Sequence, residues 1–274
     1  MTGGAKGHAI LGSMLPGMTV ERTVTRWLGV LAAIAAAGAT GCCDADSQCE
    51  PALSMDRTPV ASAKLPAAWA RASGETVQLV VTSAPYRASD AAVERLRTTL
   101  REQAGLEVRV LDGSDTDLRV SVVLDYQEVL AAGRRQIPDG DGAAAVVVVV
   151  ESTTYPGATF GFMVDDLAAR PTAVIGLHRG PIAAAAVGPV SSEDIEAAVL
   201  LHEVGRWLGV PARSYHISAI DGVHCTNARC VVFKGSRAGL CAVVANLCAG
   251  VPTRFCRDCA EELAELRRRC EVQR

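Results

Sequence analysis

Lysine is nearly absent from this chain: three lysines stand beside 24 arginines, and alanine is abundant. Such a bias is the mark of a GC-rich coding sequence, so most single arginines carry no message, with Arg206 as the exception. Aromatic residues are scarce as well, at 4% of the chain. No basic run is flanked by aromatics in the manner of a single-strand binder, and a net charge of −3 provides no field to attract a polyanion. These absences exclude nucleic acid as the expected partner. The apolar run at residues 27–39 has 13 residues, short of the roughly 20 that a membrane-spanning helix needs. Methionine stops at Met163. What the chain does have is 274 residues, 49% of them hydrophobic, enough for one sizeable core and one domain with an N-terminal tether.

Residues 18–42 carry the three parts of an export signal: Arg22 and Arg26, then the apolar run, then small residues before a cysteine. The ending Ala39-Thr40-Gly41-Cys42 resembles a bacterial lipobox, in which the signal is removed and the new N-terminal cysteine is lipidated. On this reading residues 1–41 are a signal peptide, Cys42 is the lipidation site, and the protein is exported. It is anchored through its N-terminal lipid to a bacterial membrane, on the periplasmic or cell-surface side. Residues 1–17 precede a complete signal, which points to Met18 as the start. An ordinary cleaved signal or a buried helix is the plainer alternative. Residues 43–73 are rich in Ala, Ser, Pro and Asp without sustained periodicity; residues 42–75 therefore read as a flexible tether and 76–274 as the folded domain. Cys43 and Cys49 are candidates for pairing in an oxidising compartment.

Residues 76–82 form a β-rich run closed by Ala84-Pro85. Residues 89–105 read as an amphipathic helix, with Ser89 as the cap, apolar residues at Val93, Leu96, Leu100 and Ala104, and Gly105 as the stop. Residues 106–111 and 118–124 are further strand candidates, followed by a helix around 127–132 and a Gly/Asp/Pro-rich loop at 137–142. The run of five valines from Val146 to Val150 lacks alternation, so residues 144–151 read as a central strand buried on both faces. Residues 159–164 and 172–178 add two strands. Alternating strands and helices predict an α/β fold: a twisted mixed, mostly parallel sheet packed with helices, with some antiparallel edge. His178, alone at a strand end, reads as structural.

Ser191, Ser192, Glu193 and Asp194 supply caps and first-turn acids, and residues 195–208 carry apolar residues at helical spacing, which defines a helix over 192–209. Near its end stands His202-Glu203-Val204-Gly205-Arg206-Trp207-Leu208-Gly209. A zinc peptidase helix places two histidines four apart on one face, with a glutamate beside the first as general base. Here the first histidine and the glutamate are present, and the second histidine is Arg206. A guanidinium has no lone pair for zinc and stays charged. Arg206 either pairs with Glu203, three residues back, or fills the vacated metal position. Taken alone, His-Glu is common by chance, and a helix that never bound metal is the plain alternative.

Beyond the helix come His224-Cys225, Cys230, and Cys256-Arg257-Asp258-Cys259. Cys-x-x-Cys spacing beside a second cysteine pair suits a four-thiolate zinc site over 225–259; two disulfides are the alternative in an exported protein. Across residues 202–259 the chain resembles the archaemetzincins, a metzincin branch. Their pattern joins the histidine-glutamate helix to His-Cys, four residues, Cys, one residue, Met, and a later Cys-x-x-Cys. The resemblance implies a metzincin-like fold with a C-terminal segment clipped by a four-cysteine zinc site, and zinc as cofactor. It also implies a peptide or protein as substrate or partner. It assigns Glu203 as the base, His202 and His224 as ligands of a catalytic zinc, and Cys225, Cys230, Cys256 and Cys259 as ligands of a structural one.

Three departures set this chain apart. Arg206 replaces a ligand. Residues 210–223 are inserted before His224, with His216 inside them as a rival third ligand, where the family pattern would place its histidine at Ala212. Val232 stands where the methionine belongs. A catalytic zinc normally has three protein ligands, so the departures favour a peptidase homologue that is weak or inactive, a binder of peptide or partner. An active site built from His202, His216 and His224 is the competing enzyme reading. A thiol–disulfide lipoprotein using Cys256 and Cys259 is weaker, because that pair does not follow a strand in a βαβ unit. With lipid and zinc assigned, Cys43, Cys49, Cys241, Cys248 and Cys270 remain, an odd number. A last helix is expected around 258–272, with Leu263 and Leu266 facing inward and Arg267, Arg268 and Arg269 as a solvated end.

Overall fold

The computed structural model describes residues 76–82, 87–113, 126–137, 145–151, 160–166, 171–212, 214–218, 222–233 and 250–272. The chain divides into two units, 1–42 and 43–274, and every described residue belongs to the second. The expected signal, lipidation site and tether, the strand expected at 118–124, and Cys241 and Cys248 lie outside the described residues.

Strand β1 (Thr76–Val81) and strand β2 (Glu107–Asp112) run parallel and are joined by helix α1 (Asp90–Ala104). The helix has the expected bounds for local reasons. The Ser89 side chain accepts the Ala92 N–H, and Gly105 leaves the helix at φ 62°, a left-handed conformation that costs glycine little. Its buried stripe is Ala92, Val93, Leu96, Leu100 and Ala104, residues three and four apart that lie on one face. Helix α2 (Tyr126–Gln136) leads to β3 (Ala145–Glu151).

Strand β3 is the middle of a five-stranded sheet in the order β2-β1-β3-β5-β4, paired in parallel with β1 on one side and with β5 (Thr172–His178) on the other. The valine run therefore takes the central place its lack of alternation implied. Strand β4 (Gly161–Asp166) closes the sheet as an antiparallel edge on β5. The sheet is thus mixed and mostly parallel, as expected.

Period-two alternation sorts the strand residues between two faces. Val77, Leu79, Val81, Ala173, Ile175 and Leu177 belong to the main core with α1 and helix α4 (Ser192–Leu208). Val80 and Val174 are also buried but lie outside that cluster. Helix α2 packs on β4 and β5, and both elements of the site described below sit on the main-core side. One short helix was not anticipated: α3 (Arg179–Ala185), directly after β5. Pro181 falls in its first turn, where a missing N–H leaves no helical bond unmade. His178, expected to be structural, is buried at the end of β5 with its ring 5.6 Å from that of Phe162.

Helix α4 begins at a full capping box, in which Ser191 accepts the Asp194 N–H and Asp194 accepts the Ser191 N–H. Twelve of its residues are buried, on every side of the helix, because it lies between α1, the β4–β5 end of the sheet and the C-terminal segment. Leu200 and Leu201 are fully buried, each contributing about 2 kcal/mol by removal from water. Gly209 ends the helix at φ 97°. Helix α5 (Arg257–Val272) closes the described chain, with Leu263 and Leu266 buried as expected. Its Arg267 donates to the Gly105 carbonyl at 2.8 Å and so caps the end of α1. Among the described residues no helix is long and apolar enough to cross a membrane.

Candidate metal centre

The last turns of α4 place His202, Glu203 and Arg206 beside the segment that leads into the cysteines. His202 is buried, and its Nδ1 lies 2.9 Å from the Val231 carbonyl oxygen. A carbonyl only accepts, so this contact puts the proton on Nδ1 and the ring lone pair on Nε2. The ring of His224 lies next to it, with centroids 5.1 Å apart. The two histidines expected to share a metal are therefore neighbours.

Glu203 is also buried, and its Oε2 accepts from Arg206 Nη1 at 3.3 Å. Of the two roles open to Arg206, the structure has it pairing with Glu203. Burial pushes the Glu203 carboxyl above its ordinary range, and the guanidinium offsets that only in part. Gly205 lets the cysteine segment come close: a Cβ there would stand 2.6 Å from Phe255 and 3.1 Å from Val232. Val232 is fully buried against this helix turn.

The cysteine segment is held by backbone pairing around it. Residue 225 bridges to Ile217 on one side and Phe233 on the other. The Val231 N–H donates to the Arg254 carbonyl at 2.9 Å. Gln103 of α1 pairs with both polar groups of the Phe255 backbone, accepting its N–H at 2.9 Å and donating to its carbonyl at 3.2 Å.

All four expected cysteines converge. Cys225 and Cys256 sulfurs are 3.7 Å apart, and Cys230 and Cys259 sulfurs 3.6 Å apart. Both distances exceed a disulfide bond of about 2.05 Å, and the four are free thiols in the structure. Four sulfurs placed about 2.3 Å from a common point stand about 3.8 Å from one another, and these two separations are of that size. Two sulfurs also accept backbone N–H groups: Cys225 from Asn227 at 3.4 Å and Cys230 from Cys256 at 3.3 Å.

His216 joins them. Its Nδ1 is 3.5 Å from the Cys225 sulfur and 3.9 Å from that of Cys259, and its Nε2 is 2.8 Å from Glu262 Oε1. His216, Cys225, Cys256 and Cys259 offer donor atoms all within 4.8 Å of one another. Both ring nitrogens of His216 are thus engaged at the cysteine cluster. Neither His216 nor Glu262 was assigned to this centre from the sequence. The available signal was the position of Glu262, three residues after Cys259 and on the same helix face.

Burial works to lower the His216 pKa, but hydrogen bonds to Cys256 and Glu262 outweigh it and leave it raised to about 9. Hydrogen bonds from Cys225 hold the Cys230 and Cys256 thiols below their ordinary range, while Cys225 and Cys259 are pushed up.

No protein-family model matches the chain, and no curated protein does. Among solved structures it is similar to the crystal structure of archaemetzincin from Methanopyrus kandleri, with a TM-score of 0.43 and 18% sequence identity. The similarity covers 74% of this chain and 98% of that one.

Proposed function

We propose that this chain is a metallopeptidase-like protein, weak or inactive in peptide hydrolysis, that carries one metal in its cysteine cluster. The observation that carries this reading is the Glu203–Arg206 ion pair on the last turn of α4, where a working site would have a second histidine. His202 and His224 lie together and would hold a metal, His202 through Nε2. Bound there, zinc would polarise a peptide carbonyl and acidify a water molecule. Glu203 is the group to take a proton from that water, but its carboxylate is engaged by a permanent cation that also repels a metal. Two histidines fall short of the three protein ligands a catalytic zinc normally has. A peptide or protein is the class of partner implied, bound rather than cut.

The cysteine cluster serves as the structural centre in this reading. It joins the turn at Cys225 and Cys230 to the start of α5 at Cys256 and Cys259, and so clips the C-terminal segment to the α4 side of the core. Export and lipid anchoring at Cys42 belong to the same proposal and rest on the N-terminal sequence. Replacing Cys42 with alanine is expected to abolish lipid labelling and release the protein from the membrane fraction. Labelling that persists would overturn this part.

Metal analysis of the purified full chain is the test. One zinc per chain is expected, rising to two in Arg206→His. Two zincs in the parent, together with peptidase activity lost in Glu203→Ala, would sink the inactive reading. No zinc at all would remove the cysteine centre.

A further inference from the structure

His216 reaches the cysteines from the segment that follows α4, and its ring is held there from behind. Its Nε2 is 2.8 Å from Glu262 Oε1, and the other carboxylate oxygen accepts the Ala212 N–H at 2.7 Å. Both side chains are almost fully buried, at 5% and 2% exposure. The backbone of His216 is fixed too: its carbonyl accepts the Thr226 N–H at 2.9 Å and the Thr226 hydroxyl at 3.3 Å. A carboxylate that engages one ring nitrogen so that the other is turned to a metal is the usual setting of a ligating histidine. Here the nitrogen left to face the sulfurs is Nδ1.

Nδ1 stands 3.5 Å from the Cys225 sulfur and 3.9 Å from that of Cys259, and the Cys225 and Cys256 sulfurs are 3.7 Å apart. A tetrahedral zinc with sulfurs at about 2.3 Å and a nitrogen at about 2.0 Å sets edges of about 3.5 Å from nitrogen to sulfur and about 3.8 Å between sulfurs. The donor atoms of His216, Cys225, Cys256 and Cys259 all lie within 4.8 Å of one another, and Cys230 is not in that set. Its sulfur lies to one side, 3.6 Å from Cys259, where it accepts the Cys256 N–H at 3.3 Å. Charge favours the same choice. Four thiolates around a divalent cation leave a double negative charge, whereas three thiolates and an imidazole leave a single one, which costs less to bury. Cys225 and Cys259 are fully buried.

Resting on the metal-binding reading of the cluster, we propose that its metal is a zinc-class divalent cation held by His216 Nδ1, Cys225, Cys256 and Cys259, with Cys230 as a neighbouring sulfur outside the ligand set. Cys230 thus gives up the place that the spacing of paired cysteines implies for it, and a residue outside that motif takes it. The metal then joins the segment after α4, the Cys225 turn and the start of α5, and Glu262 of α5 holds the imidazole in position.

The test loads the full chain with Co(II) and follows the thiolate-to-cobalt charge-transfer band. Only sulfur ligands produce this band, so a metal at His202 and His224 does not contribute to it. Its intensity counts the thiolates, and its titration against a chelator measures affinity. The parent is expected to show the intensity of three thiolates. Cys230→Ser is expected to leave band position, intensity and affinity unchanged, whereas Cys256→Ser should lower the intensity to that of two. His216→Ala is expected to weaken binding by more than about a hundredfold, the upper end of what an outer partner of a metal site carries.

Four-thiolate intensity in the parent, or any loss of intensity in Cys230→Ser, makes Cys230 a ligand and overturns the proposal. A His216→Ala chain that keeps the parent's band and affinity overturns it as well. Cys230→Ser changes one atom at the cluster, so its result stands even where His216→Ala fails to fold. A parent with no thiolate-to-cobalt band defeats the metal-centre reading itself, a failure distinguishable from the other two.

Discussion

The end of helix α4 and the cysteine cluster are neighbours that solve opposite electrostatic problems. At the helix end a buried carboxylate, Glu203, meets a fixed cation from its own helix, Arg206. The charge is balanced within the chain, and no ion is required. In the cluster four sulfurs and one imidazole crowd together, an arrangement whose charge protons or a metal would balance. The guanidinium of Arg206 does for Glu203 what protons or a metal would do for the thiolates.

That contrast can be broken most forcefully at the cluster. Cys259→Ser removes a fully buried sulfur that contacts Cys230. It is expected to abolish metal binding there and lower Tm by about 10 °C, the loss corresponding to a ligand held at roughly a thousand times its dissociation constant. Chelation of the parent should give a drop of similar size, whereas chelation should leave Cys259→Ser unaffected. Differential scanning calorimetry with and without chelator measures both.

A smaller effect probes the junction of the two regions. In Gly205→Ala the new methyl would stand 2.6 Å from the buried ring of Phe255. Overpacking costs about 1–3 kcal/mol and outweighs the roughly 1 kcal/mol gained in helix propensity, so a net loss of about 1–2 kcal/mol is expected in urea titrations. A neutral or stabilised variant would show that the helix and the cysteine segment are less tightly joined than the contact indicates.

The smallest effect lies at the other end of α4. Burial works to raise the Asp194 pKa, but hydrogen bonds from Arg95 and Ser191 hold it below its ordinary value of 3.8. A carboxyl with a depressed folded-state pKa contributes stability that is present above its unfolded value and lost as pH falls through the folded one. Asp194→Asn should thus cost about 1 kcal/mol at pH 7, with the deficit shrinking once pH drops below about 4. Denaturant curves at pH 7 and pH 3 check the sign. A deficit that is the same at both would tie it to packing, not to charge.

Much of the scaffold was legible because its signals are local. Ser89 and Gly105 bound α1, and Ser191 with Asp194 starts α4, since caps act within three residues of the helix end. The five valines of β3 marked the central strand because a run without alternation offers no polar face to water, as strands inside a parallel sheet require. Helix α3 went unread: its short Arg-Gly-Pro start looks like a turn, and its place just after β5 hides it. Spacing announced the four cysteines as a group. His216 was expected as a rival ligand beside His202 and His224, not at the cysteines, and Glu262 was not announced, because they come from an inserted segment and from the last helix. No periodicity links residues 46 positions apart.

Composition, caps and motif spacing by themselves determined the α/β plan, the limits of the main helices, the grouping of four cysteines and the presence of a non-ligating arginine at position 206. These depend on residue type and on neighbours a few positions away, which a sequence displays directly. Tertiary structure alone decided that Arg206 pairs with Glu203, that His202 lies beside His224, and that His216 and Glu262 join the cysteines. Those outcomes depend on distances of a few ångströms between remote segments. Such distances are fixed only when α4, α5 and the Cys225 turn are packed against one core.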